Sequence, residues 1–158
     1  MPREPLEVEI GELEAGWATV SITAGPQGMH FRWGYQCCDS LGDFVRGLAA
    51  LNAKPAKVEV QLSAEGREGG YLVSLRRDGD ALEVIVKRLV SDWDDEQVAR
   101  GRQARARLRW RGPFREGARA FVAAFDRLIA EVGVPGYERG WWRGLPAEEL
   151  RRLRKALG

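Results

Sequence analysis

Residues 71–90, YLVSLRRDGDALEVIVKRLV, predict a β-hairpin. Apolar and polar residues alternate on both sides of Asp78-Gly79, a pattern that indicates strands with one buried face. Asp-Gly is a favoured pair for a two-residue hairpin turn, because glycine adopts positive φ at little cost. We therefore expect these two strands to be antiparallel neighbours.

Similar patterns extend to both sides of the hairpin. Five more strands are predicted over residues 5–10, 17–23, 29–35, 57–63 and 102–112. Apolar residues spaced three and four apart predict helices over 40–51 and 113–132, and a short helix follows Pro146. Runs of adjacent strands with few crossovers indicate the α+β class. The prediction is an antiparallel sheet of about seven strands, with two amphipathic helices on one face and a short C-terminal helix.

The composition is that of a single globular domain. The chain has 158 residues, of which 44% are apolar and 30% charged. We expect residues 1–133 to form the sheet-and-helix domain, and residues 134–158, a tryptophan-rich tail with a short helix, to pack on it. The chain has no apolar run near the roughly 18 residues of a membrane helix, and its acidic start lacks a secretory signal. A cytoplasmic location without membrane contact is therefore expected.

Residue types that could support catalysis are sparse. His30 is the only histidine, and no nucleophile motif surrounds it. The acidic run 92–96 begins like a calcium loop, but Gln97 stands where that loop requires glycine, so a solvated turn is favoured. The adjacent Cys37 and Cys38 are expected to be reduced thiols. We predict no catalytic residues, no metal and no cofactor.

Charge is divided unevenly along the chain. Residues 1–96 hold 10 Lys or Arg against 17 Asp or Glu, a net −7, whereas residues 97–158 hold 15 against 6, a net +9. Within the basic part, RQARARLRWRG over 102–112 places an arginine at every second position. These arginines are Arg105, Arg107, Arg109 and Arg111. The alternation puts all four on the polar side of a strand, and Trp110 on the apolar side.

Three interpretations of this row remain open. Glutamates on the polar faces of neighbouring strands could neutralise it, and the candidates are Glu7, Glu9, Glu59 and Glu83. An acidic protein could bind it, since arginine is frequent at interface hot spots. Single-stranded nucleic acid is the third interpretation, which the net charge of only +2 and the absence of interleaved aromatic residues disfavour. The first two are compatible with each other.

Trp141-Trp142, in an irregular Gly- and Pro-containing segment, stands outside the strand and helix patterns. Such a pair typically covers a core, but an exposed member would mark a contact site. The predicted partner-binding residues are therefore Arg105, Arg107, Arg109, Arg111, Trp141 and Trp142. The sequence predicts no oligomeric state.

Two segments carry a resemblance to known proteins. DSLGDFVRGLAAL over 39–51 and YLVSLRRDGDALEV over 71–84 resemble small uncharacterised bacterial proteins from GC-rich genomes. The order of elements over 5–132 is similar to α+β immunity proteins that neutralise polymorphic toxins. The resemblance implies a non-enzymatic protein that binds a toxin or other partner. It supplies no catalytic motif, and the tail from Val134 onward has no counterpart in it.

Overall fold

The computed structural model of the protein describes residues 4–34, 39–64, 70–88 and 106–158. These residues contain seven strands and three helices. The strands are β1 (Leu6–Glu14), β2 (Trp17–Ala24), β3 (Gln27–Gly34), β4 (Lys57–Ala64), β5 (Tyr71–Asp78), β6 (Ala81–Arg88) and β7 (Ala106–Pro113). The helices are α1 (Ser40–Ala53), α2 (Phe114–Trp141) and α3 (Ala147–Leu157).

The strands form two antiparallel meanders. β1, β2 and β3 make a three-stranded sheet, and β4, β5, β6 and β7 make a four-stranded one. Among the described residues, β3 meets β4 only where Trp33 pairs with Ala64 and Gly34 with Ser63. The α+β class and the antiparallel strands are thus confirmed. One continuous seven-stranded sheet is not confirmed, because these two pairs are the only ones between β3 and β4 in the described residues.

Both sheets turn an apolar face towards the helices. In β2 and β6, buried residues alternate with half-exposed ones, as the sequence pattern predicts. Helix α1 packs on β4 and β5, and α2 packs mainly on β1. The strand side chains buried between these layers include Val8, Val20, Ile22, Val60, Val73, Val84, Val86, Leu108 and Trp110. The two-residue period therefore decides which side chains enter the core.

Helix α1 begins one residue after its cap. The Asp39 carboxylate accepts a hydrogen bond from the Gly42 backbone N–H at 3.2 Å, which satisfies one of the unpaired donors at the helix start. Ser40 and Asp43 also have the spacing of a capping box, but Ser40 does not cap the helix. Ser40 is buried, and its hydroxyl donates to the Gln61 carbonyl of β4 at 2.6 Å. Ser40 thus ties the helix to the sheet while Asp39 caps it.

Helix α2 is longer than predicted, and it is kinked. The sequence pattern ends the helix at Gly133, but Gly133 adopts φ 73° and ψ 167° and a second helical arm continues to Trp141. Pro135 lies in the first turn of that arm, where a missing backbone N–H disrupts no helical hydrogen bond. The glycine therefore redirects the helix.

The second arm of α2 docks on the β1–β2 turn. The Gly16 N–H donates to the Gly140 carbonyl at 2.7 Å. A Cβ on Gly140 would lie 2.7 Å from the Leu13 carbonyl oxygen, so only glycine allows this approach. Helix α3 then packs on α1 and α2 through three buried leucines. These are Leu150, Leu153 and Leu157.

The β2–β3 hairpin of the three-stranded sheet contacts β7 of the four-stranded one. The Trp110 indole N–H of β7 donates to the Glu4 carbonyl just before β1, at 3.0 Å. On the opposite side, the Arg127 guanidinium of α2 donates to the Val8 carbonyl of β1 at 2.7 Å. Contacts from distant parts of the chain therefore hold both outer strands.

Candidate functional site

Strand β7 presents three arginines to solvent. Arg107, Arg109 and Arg111 are exposed, while Leu108 and Trp110 between them are buried. The fourth predicted member of the row, Arg105, lies outside the described residues. The separation of arginines from Trp110, expected from the alternation, is therefore present in the strand.

The register of the four-stranded sheet shows what faces each arginine. Arg111 lies opposite Glu83 of β6, and Glu83 lies opposite Arg76 of β5. Arg109 lies opposite Ile85, which carries no charge. Glu83 thus stands between two arginines, whereas Arg109 has no carboxylate directly across the strand pair. We call the four exposed side chains Arg76, Arg107, Arg109 and Arg111 the arginine patch.

Arg111 has one ion pair in the patch. Its guanidinium lies 3.8 Å from the Asp78 carboxylate, with the two side chains 55% and 66% exposed. Exposed pairs of this kind contribute about 0–1 kcal/mol, since water and salt screen them. The pair therefore neutralises Arg111 weakly.

The predicted neutralisation by cross-strand glutamates is partial. Glu7 and Glu9 lie on β1 of the other sheet, and Glu59 pairs with Lys57 at 3.1 Å. Of the four candidates, Glu83 alone stands beside an arginine of β7 in the described register. Described outward positions of β4–β7 hold six basic residues against three acidic ones, a net +3. They are Lys57, Arg76, Lys87, Arg107, Arg109 and Arg111 against Glu59, Asp78 and Glu83.

Only part of this outward face is open to solvent. Leu72 and Ser74 occupy outward positions of β5, yet they are 3% and 7% exposed. Apart from Lys57 on β4, the exposed charge therefore lies at the β5–β6 turn and along β7. The surface expected to bind a partner is accordingly the arginine patch and not the whole face of the sheet.

On the side of β7 that faces away from β6, a side chain binds the backbone. The Arg109 backbone N–H donates to Gln27 Oε1 at 2.9 Å, and Gln27 Nε2 donates to the Arg109 carbonyl at 3.3 Å. A carboxamide offers one acceptor and a donor much as a peptide group does. Gln27, the first residue of β3, thus takes the place of a neighbouring strand at this one position.

The two tail tryptophans differ in exposure. Trp141 is 0% exposed, so its assignment to a partner-binding surface is corrected. It shares the inner side of the second α2 arm with Tyr137, one helical turn earlier, and both are in the core. Trp142 is 52% exposed and ends the helix with φ 68°, ψ 18°. The core-covering interpretation therefore describes Trp141, and Trp142 alone stays a candidate contact residue.

Asp39 anchors Trp141 to helix α1, a role that the sequence patterns did not reveal. Its Oδ1 accepts from the Trp141 indole N–H at 2.7 Å, and its Oδ2 accepts from Arg46 at 2.9 Å. Arg46 also binds Asp43 at 3.1 Å, and burial raises the pKa of Asp43 above its usual value. We call Asp39, Arg46 and Trp141 the Asp39 anchor. A carboxylate that accepts from three groups, the Gly42 N–H included, stabilises the fold.

Tyr137 lies beside this anchor. Its hydroxyl is buried and has no hydrogen-bond partner in the part of the chain that the structure describes. Burial, followed by the nearby Asp39 charge, raises the pKa of Tyr137, so that the phenol stays neutral.

His30 lies on the exposed side of the three-stranded sheet. Its Nδ1 and the Ser21 Oγ are hydrogen-bonded at 2.7 Å, and Glu9 stands opposite Ser21 on β1. In a catalytic triad the acid orients the histidine, whereas here the carboxylate lies beside the serine. Glu9, Ser21 and His30 lie side by side on three neighbouring strands, as polar residues on the exposed side of a sheet ordinarily do.

Within the described ranges, no group of three His, Cys, Asp or Glu side chains is placed to hold a metal ion. The acidic run 92–96 and the cysteines Cys37 and Cys38 lie outside those ranges. The helices in the described residues are each too short or too polar to cross a membrane. Comparison of the chain with protein-family models, curated proteins and solved structures gave no match.

Proposed function

We propose that the chain is a non-enzymatic protein-binding domain whose arginine patch contacts an acidic protein partner. The observation that carries this proposal is Arg109, which is exposed and faces Ile85 in the register instead of a carboxylate. A guanidinium that the fold leaves without a carboxylate across the strand pair can bind one from outside, in a bidentate geometry.

Charge and residue type support this choice. The described outward positions of β4–β7 carry a net +3, although the whole chain carries only +2. A local basic patch on a nearly neutral protein accelerates encounter with an acidic surface. Arginine is also among the residues that contribute most at interfaces.

The similarity of the element order over residues 5–132 to α+β immunity proteins suggests the biological setting. By that resemblance, the protein is a cytoplasmic bacterial immunity or accessory protein, and the partner is an acidic toxin. The exposed Trp142 is a second contact residue in this proposal, since aromatic side chains anchor interfaces.

Charge reversal of the patch tests the proposal. The variant Arg109→Glu plus Arg111→Glu is compared with Arg139→Glu plus Lys155→Glu, which makes the same change in net charge at exposed helical positions. Each protein is immobilised, exposed to lysate of the source organism and analysed by quantitative mass spectrometry. An acidic protein captured by the wild type and the control, and lost from the patch variant by tenfold or more, supports the proposal. Equal capture by all three contradicts it.

Single-stranded nucleic acid is the second candidate. Arginines at every second position of a strand repeat at about 6.6–6.8 Å, similar to the spacing of phosphates along a nucleic-acid strand. Trp110 lies in the core, however, so it supplies no stacking surface between the arginines. A gel shift of a single-stranded oligonucleotide that weakens steeply with salt, and is abolished by Arg107→Ala plus Arg109→Ala, would favour this candidate.

A further inference from the structure

Among the described strands, β7 forms the outer edge of the four-stranded sheet. A strand at the edge of a sheet has backbone N–H and C=O groups that a further strand can pair with. At Arg109 both groups point to the edge, where the Gln27 carboxamide binds them at 2.9 and 3.3 Å. Because backbone direction alternates along a strand, the Arg111 groups point to the same edge.

We propose that β7 accepts an acidic extended segment of the partner as an added strand, and that Gln27 keeps this edge closed in the free protein. This inference rests on the proposed function, and it specifies how the acidic partner binds. Backbone pairing would supply affinity, and the arginine side chains would supply specificity.

Charge complementarity selects the occupant. In an antiparallel pair, side chains directly opposite each other are about 4.5–5.5 Å apart at Cβ. A segment with glutamate or aspartate at every second position would place a carboxylate opposite each of Arg107, Arg109 and Arg111. A second copy of β7 would place arginine opposite arginine, which is unfavourable. The row therefore favours an acidic strand over self-association.

Opening the edge requires a small rearrangement. Residues 25–28, the tip of the β2–β3 hairpin that carries Gln27, are all exposed, so moving the tip uncovers little apolar surface. The two hydrogen bonds of Gln27 are also exposed to water, which can replace them when the tip moves. An added strand would replace them with pairing along several residues.

The other outer strand does not offer an equivalent edge. On β1, Arg127 binds the Val8 carbonyl, and helix α2 packs along the strand. Displacing them would expose buried residues of α2 such as Phe121 and Phe125. Of the two outer strands, β7 is thus the one whose cover can be lifted without opening the core.

Fluorescent peptides test the inference. The probe is a nonapeptide of alternating threonine and glutamate, and its binding at low salt is measured by fluorescence anisotropy. Two N-methylated versions separate strand pairing from charge. Opposite Arg109, the glutamate amides would donate to β7, whereas the threonine amides would point away. Methylation of the glutamate amides is therefore expected to abolish pairing, and methylation of the threonine amides is expected to preserve it.

Variants of the hairpin complete the experiment. Gln27→Met removes both hydrogen bonds at similar side-chain length, and Gln27→Ala repeats the test if the methionine disturbs the fold. We expect either variant to bind the unmethylated and threonine-methylated peptides about tenfold more tightly than the wild type, equivalent to about 1.4 kcal/mol. Thr23→Ala, in the same hairpin, is the matched control and should leave affinity unchanged.

The failures are distinguishable. If both methylated peptides bind equally, or Gln27→Met brings no gain, then the partner binds by charge without strand pairing and this inference is wrong. In that case the proposed function still stands, provided that Arg109→Glu plus Arg111→Glu weakens binding. If the charge reversal has no effect on the peptides or on lysate capture, the proposed function itself is wrong.

Discussion

The Asp39 anchor and the arginine patch use charged side chains in opposite ways. The Asp39 side chain is 12% exposed and binds Trp141, Arg46 and a backbone N–H. In the arginine patch, the one ion pair among the described residues is the exposed Arg111–Asp78 contact at 3.8 Å. A buried charge must be paired to be tolerated, whereas an exposed one is stable alone in water. We infer that the first region maintains the fold and that the second is available for recognition.

The largest effect is expected in the anchor. Trp141→Ala would leave a large cavity and remove one of the donors to Asp39, and replacing a buried Trp with Ala typically costs about 3–5 kcal/mol. The half-exposed neighbour is the control, since Trp142→Ala should cost less than about 1 kcal/mol. Urea unfolding followed by circular dichroism measures both. Equal losses for the two tryptophans would contradict the anchoring role of Trp141.

The next effect concerns the docking of the second α2 arm. Gly140→Ala would place a methyl group 2.7 Å from the Leu13 carbonyl oxygen, so the arm must shift and weaken the Gly16–Gly140 hydrogen bond. We expect a loss of about 1–3 kcal/mol, the usual range for overpacking. Gly144→Ala, at an exposed position, is the matched substitution. Thermal unfolding that shows no difference between the two alanine variants would contradict the close approach.

A smaller effect depends on pH. Burial raises the pKa of Asp43, so its ionised form is less favourable in the folded chain than in the unfolded one. The protonated form of Asp43 therefore contributes to the free energy of unfolding below the unfolded pKa, and this contribution is lost as pH rises through the folded pKa. Asp43→Asn should therefore stabilise the protein more at pH 7 than at pH 3. Because the side chain is 43% exposed, the difference should stay below about 0.5 kcal/mol.

Urea unfolding at the two pH values measures the Asp43 effect. Asp126→Asn is the control, since it changes another half-exposed carboxylate that pairs with an arginine outside the anchor, Arg154. A stabilisation that is larger at pH 3 than at pH 7 would contradict the prediction.

The smallest effect on stability is expected in the arginine patch. Arg109→Ala plus Arg111→Ala removes exposed charges and leaves the backbone contact of Arg109 with Gln27 in place. The free energy of unfolding should change by less than about 0.5 kcal/mol. Urea unfolding at low and high salt checks this. A loss above about 2 kcal/mol would mean that these charges hold the sheet together, as the Asp39 anchor holds the helices.

Much of the fold could be predicted from local patterns. The alternation around Asp78-Gly79 predicted the β5–β6 hairpin, and β7 keeps its arginines apart from Trp110 as expected. The predicted length of α2 was wrong, because a glycine such as Gly133 is compatible both with the end of a helix and with a kink inside it. The helix continues past such a glycine only if the next turn finds a buried surface. Here the second arm buries Tyr137 and Trp141 in the core.

The candidate site was predicted less completely. The exposure of three arginines followed from strand parity, but their neutralisation depended on which strands became neighbours. Glu7 and Glu9 have the same alternation as Glu83, yet they lie in the other sheet. Strand order determines which charges face each other, and a single strand's pattern does not encode it.

The sequence by itself determined the strands, the antiparallel hairpin and the face that each element buries. These features follow from the order of apolar and polar residues along the chain, which repeats every 3.6 residues in a helix and every two in a strand. Only the tertiary structure decided that Trp141 binds Asp39, 102 residues away, and that Gln27 covers Arg109, 82 residues away. Such contacts form when packing of the core brings remote segments together. The energy of that packing is shared among many side chains, so no short stretch of sequence specifies the pairs.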